Sequence, residues 1–142
     1  MAIALGAILV ACSRGAATAP KGWQPIAGPA SEWSSGSGTE TQTYSYARRP
    51  FGGTLQDLAS AVTIDVLLHH RGARMAGSNP FRLCPGAAGV ATFTLPIGRR
   101  VDEGFAVRDG FSLRTSYERP GQAPEDPNVI EAMRAALCVP PA

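Results

Sequence analysis

Lysine is almost missing from this chain: Lys21 is the only one, and arginine supplies the other 12 of its 13 basic residues. Nothing chemical demands that bias, which reads as genome composition. The formal charge of +2 is too small to hold the chain on a polyanion, which argues against a nucleic-acid partner. Histidine is equally scarce, with only the adjacent pair His69 and His70. No acidic cluster with ligand spacing accompanies them, so a tetrahedral metal site lacks ligands and no metal or cofactor is expected. There is no G-x-S-x-G nucleophile elbow, no phosphate-cradling G-x-x-x-x-G-K loop and no C-x-x-C pair. These absences remove the usual signatures of an enzyme. The most apolar run, residues 2–11, is also short: ten residues rise ~15 Å as a helix, half of a ~30 Å hydrocarbon core.

What is present suits one domain of 142 residues with an ordinary 44% of hydrophobic residues and, from 16 glycines and 12 prolines, many turns. Charge is uneven along it. Residues 48–108 carry eight arginines against four acids, whereas residues 109–142 carry three against five. A basic face of this kind can meet anionic lipid headgroups or an acidic partner, although scattered solvated arginines produce the same count.

The apolar run AIALGAILVA ends on Cys12, and a signal-peptide apolar region has this length. Leu9-Val10-Ala11-Cys12 resembles the lipobox of bacterial lipoprotein precursors. The resemblance implies a signal peptide over 1–11, cleavage before Cys12, a lipid on its thiol and fatty acylation (palmitate or similar) of the new N-terminus. It further implies a cell-envelope location, with the membrane itself as one partner. Ser13 after the cysteine implies, in a Gram-negative cell, the periplasmic face of the outer membrane. With Cys12 assigned to lipid, Cys84 and Cys138 remain, and an even pair outside the cytoplasm most economically forms a disulfide.

Residues 12–22 read as a flexible tether, reaching on the order of 17 Å, and residues 23–142 as a single globular domain. Trp23 and Trp33 sit among Gly, Pro and Ser. Such tryptophans fold back over a core edge or offer a surface to a ligand or membrane. Thr41–Arg48 alternates as a strand, with Tyr44 and Tyr46 on one face, and is broken at residues 49–53. A helix follows. Thr54 caps it, Asp57 suits its positive end, and Leu55, Leu58, Ala59, Val62 and Val66 form an apolar stripe. His69, His70 and Arg71 fall in its last turn, and Gly72 supplies the left-handed cap.

Phe81–Cys84 and Val90–Leu95 read as strands around a turn at residues 85–89, with one buried face in the second. In residues 104–118 a three-residue loop, Arg108-Asp109-Gly110, pairs Val107 with Phe111 and Phe105 with Leu113, so that all four share one face. A two-residue turn would split them, so the longer loop is expected. Asp126-Pro127 then opens a second helix with Val129, Ile130, Met133, Ala136 and Leu137 on its inner face. The fold class is α+β: an antiparallel sheet of about five strands with two packed helices, in the order β-α-ββββ-α. From about Trp23 to Cys138 this order of elements is similar to PsbP-like α+β sandwiches, which implies a domain that binds proteins rather than catalyses.

Three functional readings follow. The first is a lipid-anchored envelope module that acts by protein interaction or envelope maintenance. Its candidate contact residues are Trp23, Trp33, His69, His70, Arg71 and Arg74. The second is a carrier whose sheet and long helix enclose a small apolar ligand among Val66, Phe93, Phe105 and Phe111. The third is an enzyme using His69 or His70. Neighbouring residues on a helix point about 100° apart, whereas helical ligand pairs use a spacing of three or four, so charge at the helix end is their default role.

Overall fold

The computed structural model describes residues 18–28, 31–78, 83–84 and 88–138. The expected signal segment 1–11, Cys12 and the part of the expected tether up to residue 17 lie outside the described residues.

Among the described residues seven strands and two α-helices follow one another. Two short strands, β1 (Gln24–Pro25) and β2 (Glu32–Ser35), precede β3 (Gln42–Pro50) and helix α1 (Leu55–His69). Then come β4 (Arg74–Ser78), β5 (Ala88–Leu95), β6 (Arg99–Arg108), β7 (Phe111–Pro120) and helix α2 (Pro127–Leu137). All seven strands join one antiparallel sheet in the order β1-β2-β3-β7-β6-β5-β4. The antiparallel α+β class stands, but the sheet has seven strands rather than about five, and the order is βββ-α-ββββ-α. β1 and β2 escaped the sequence reading because two- and four-residue strands in Gly- and Pro-rich sequence carry too little alternation to register.

The strand after α1 is also displaced. β4 is Arg74–Ser78, while Leu83 and Cys84 belong to no strand and residues 81–82 lie outside the described residues. A bulge between Met75 and Gly77 interrupts the period that the sequence pattern needed. β3 runs through Arg49-Pro50, which was expected to break it; Pro50 is its last residue, where no further ladder hydrogen bond is lost. No helix among the described residues is long and apolar enough to cross a membrane.

α1 starts where its sequence says. Asp57 N–H donates to Thr54 Oγ1 and Thr54 N–H donates back to the Asp57 carboxylate, closing a capping box. Leu58, Val62 and Val66 are buried from α1, each contributing ~1.5–3 kcal/mol of apolar burial. α2 opens on Asp126, whose carboxylate accepts the Asn128 N–H, with Pro127 in the first turn.

The helices lie on opposite faces of the sheet. α1 packs on Ala91, Phe93, Leu95, Val101 and Phe105. α2 packs with Tyr44, Val90, Ala106, Leu113 and Tyr117. This double cover explains the second correction. The β6–β7 hairpin uses a two-residue turn, Asp109 at φ 51° and Gly110 at φ 78°, so Val107 faces Ser112 and Ala106 faces Leu113. Both left-handed residues match the twist of the strands. Splitting apolar residues across the two faces costs nothing when each face has its own helix, so Phe105 serves the α1 core and Leu113 the α2 core. For the same reason β5 is buried on both faces from Ala88 to Phe93, not on one.

Candidate functional site

α1 does not cover its whole face of the sheet. It lies over β5 and β6, and the same face of β7 and β3 continues beyond it with Ser112, Arg114 and Ser116 beside Ser45, Ala47 and Arg49. Strand alternation brings these six residues together. Between them and α1 runs a groove of about 540 Å³, walled by Pro50, Phe51, Leu58, Ala61 and Val62.

Charge is concentrated on its floor. Glu103, on β6, is only 2% exposed, although it shares its face with Val101 and Phe105. Its Oε2 accepts from Arg114 Nε at 2.9 Å and its Oε1 from Ser116 Oγ at 2.9 Å. Arg114 Nη1 turns to the other wall and donates to Asp65 Oδ2 at 2.6 Å. Asp65 in turn lies 2.9 Å from His69 Nδ1. The Arg114 hydrogen bond is the main reason the Asp65 carboxyl sits below its usual range. For Arg114, burial works against the charge but Glu103 and Asp65 outweigh it, so its pKa is raised. The floor is thus a fixed array of one guanidinium between two carboxylates.

His70 also lines the groove. It is the C-cap residue of α1, held by its N–H to the Val66 carbonyl, and Gly72 at φ 85° then turns the chain toward β4. Its neighbour His69 points outward and is 71% exposed at the side chain. Arg71 and Arg74 are exposed and lie outside the groove. Among the described residues no groove hydroxyl is bonded to a histidine: Ser116 donates to Glu103 and Ser112 to the Arg49 carbonyl. No group of three metal-ligating side chains occurs among the described residues.

The two tryptophans are core residues and leave little surface for a partner. Trp23 is 7% exposed, edge-on to Tyr117, with its Nε1 donating to Asp126 Oδ2 at 2.9 Å. Trp33 is stacked on Tyr44 with centroids 5.7 Å apart. The apolar pocket expected among Val66, Phe93, Phe105 and Phe111 does not form as one site. Val66, Phe93 and Phe105 pack into the α1 core, while Phe111 lies on the opposite face beneath the Arg48 guanidinium. The hairpin register decides this. Cys84 and Cys138 are bonded, with 5.8 Å between their Cα atoms, and tie the segment before β5 to the end of α2.

Glu103, Arg114 and Asp65 were not singled out in the sequence. One signal was available: Asp102-Glu103 interrupts the apolar β6 strand, and acids in mid-strand must find a partner or solvent. No protein-family model matches the chain, and no curated protein matches it.

Proposed function

We propose that this chain is an exported, lipid-anchored module of the cell envelope that binds a segment of a partner protein in the groove between α1 and the β3–β7 half of the sheet. The observation that carries the reading is the uncovered half-face: a floor of serines and paired charges beside an apolar wall, left open where a second helix would have completed the core. Apolar walls take up side chains, while hydroxyls and a rigid guanidinium–carboxylate array orient polar backbone groups. A floor whose charges are already paired suits recognition better than proton transfer. The Cys84–Cys138 bond supports export, since disulfides persist in oxidising compartments.

Two measurements test the reading separately. The native product should have lost residues 1–11 and carry a diacylglyceryl group on Cys12; an unmodified, full-length cytosolic product removes the anchor. For the groove, a photocrosslinker at Ser112 should give one reproducible adduct in intact cells, absent from a probe at Glu131 on α2. Ala47→Arg, which fills the groove, should abolish it. An adduct equally strong from both positions, or unchanged by Ala47→Arg, overturns the groove as the binding site.

A further inference from the structure

Five large apolar side chains are exposed among the described residues: Ile64, Leu67 and Leu68 on α1, Met75 on β4, and Ile97 in the β5–β6 turn. They gather at one corner. Gly72 in the α1–β4 turn lies against Pro96, so closely that an added Cβ would stand 3.1 Å from Pro96 Cγ, which sets the Ile97 turn beside the C-terminal end of α1. Ile97 is 96% and Leu68 76% exposed, so neither contributes to the core. Ile97 also holds φ 66°, a left-handed conformation that strains a β-branched residue.

Charge at this corner is positive. Arg71, in the α1–β4 turn, and Arg74, at the start of edge strand β4 with its side chain toward the α2 face, are both exposed at this end of the sheet, and the ion pairs found among the described residues include neither. The one acid between residues 64 and 78 is Asp65, already engaged by Arg114 and His69. The start of the chain leads to the same end of the sheet. The Lys21 carbonyl accepts from Asn128 at the head of α2, and the β7–α2 connection meets the Ile97 turn through Gly121 N–H to the Gly98 carbonyl. Lys21 therefore lies at the same end of the sheet as the Ile97 turn, on the α2 side.

The geometry points to a lipid-contacting surface: the corner of Leu68, Ile97, Arg71 and Arg74 rests on an anionic bilayer. The apolar side chains enter the headgroup boundary and the guanidinium groups meet lipid phosphates. An exposed apolar tip flanked by arginines that pair with no carboxylate is complementary to that surface in both polarity and charge. The choice of occupant draws on the anchored reading above, so the experiment removes the anchor.

The full chain carrying Cys12→Ser, which cannot be acylated, is sedimented with vesicles of phosphatidylglycerol in phosphatidylcholine and of phosphatidylcholine alone. Residues 2–11 contribute equally to every protein compared. Arg71→Gln with Arg74→Gln should weaken partitioning onto the anionic vesicles roughly 10- to 30-fold at low salt and leave the neutral ones unchanged. Leu68→Ser with Ile97→Ser should weaken both, by about 10-fold or more on the anionic vesicles. A dye on Ile97→Cys should shift to the blue with vesicles, and one on Glu131→Cys should not. Partitioning of both pairs of variants equal to the parent, with thermal unfolding unchanged, overturns the proposal. So does a dimer in sedimentation velocity that Leu68→Ser dissolves while vesicles bind no differently. Neither result bears on whether Cys12 is acylated in the cell.

Discussion

Glu103 and Arg114 occupy adjacent strands as diagonal neighbours, Glu103 opposite Ser116 and Arg114 opposite Phe105, and their side chains meet at 2.9 Å over a floor from which Glu103 is shut off from water. The pair is asymmetric. Arg114 keeps a second carboxylate in Asp65 when Glu103 is lost, whereas Glu103 has only the Ser116 hydroxyl when Arg114 is lost. Arg114→Met should therefore cost more than Glu103→Gln, ~3–5 kcal/mol against ~1–3 kcal/mol. Urea unfolding midpoints, read at unchanged slope, give the order. Equal losses would mean the two charges do not act as a buried pair.

Acid should unfold the protein through named carboxylates. Burial of Asp102 opposes its charge, but hydrogen bonds from Thr92 and Arg119 outweigh that and lower its pKa; Asp65 is lowered by Arg114. A depressed folded-state pKa gives stability that is present above the unfolded value near 4 and lost as pH falls through the folded one. Stability measured between pH 7 and pH 2 should thus decline below about pH 5, and Asp102→Asn should flatten the decline. At the alkaline end, burial raises the pKa of Tyr44, Tyr46 and Tyr117. A raised value gives stability that is complete below the unfolded pKa near 10 and lost above it. A second fall should therefore begin near pH 10, accompanied by tyrosinate absorbance.

At Gly104, on β6, α2 packs closely on the sheet. A Cβ there would meet Thr115 Oγ1 at 2.5 Å, Leu137 Cδ1 at 2.7 Å and Met133 Cε at 2.9 Å. Gly104→Ala should push α2 away and destabilise the domain by about 1–3 kcal/mol, readable as a lower Tm. An alanine tolerated without loss would show that the helix is free to shift.

The Cys84–Cys138 bond closes a separation of 54 residues. On the chain-entropy account Cys84→Ser with Cys138→Ser should cost about 4 kcal/mol. The same loss should appear when the unaltered protein is unfolded in a thiol reductant, and the double variant should then be insensitive to reductant.

Ile97 separates stability from surface function. Ile97→Gly relieves the left-handed strain and should hold stability or raise it by up to about 1 kcal/mol, read as a Tm no lower than the parent's, because glycine adopts that backbone freely. The same change should weaken vesicle binding. A fall in Tm would mean that the side chain packs after all.

Local chemistry was readable where one residue's own preferences suffice. Thr54 and Asp57 mark the start of α1, and Asp126-Pro127 marks the start of α2, because capping is settled within four residues. The Asp109-Gly110 turn shows the limit. Its residues suit a two-residue loop, whereas the apolar pattern on either side suits three residues if only one face of the sheet is buried, and it is the helix on each face that makes the shorter loop fit. The groove was less legible still. Ser45, Asp65, Glu103 and Arg114 come from four elements, and nothing in any one of them records how far α1 extends across the sheet.

The sequence by itself determined where the helices begin and, through Leu58, Val62 and Val66 on α1 and Val129, Met133, Ala136 and Leu137 on α2, most of what they bury, since each rests on short-range preference. Tertiary structure alone decided the seven-stranded order, the face on which each apolar side chain of the β6–β7 hairpin lies, and the opening beside α1. Those depend on which surfaces are covered, and coverage is a property of the packed layers rather than of any segment.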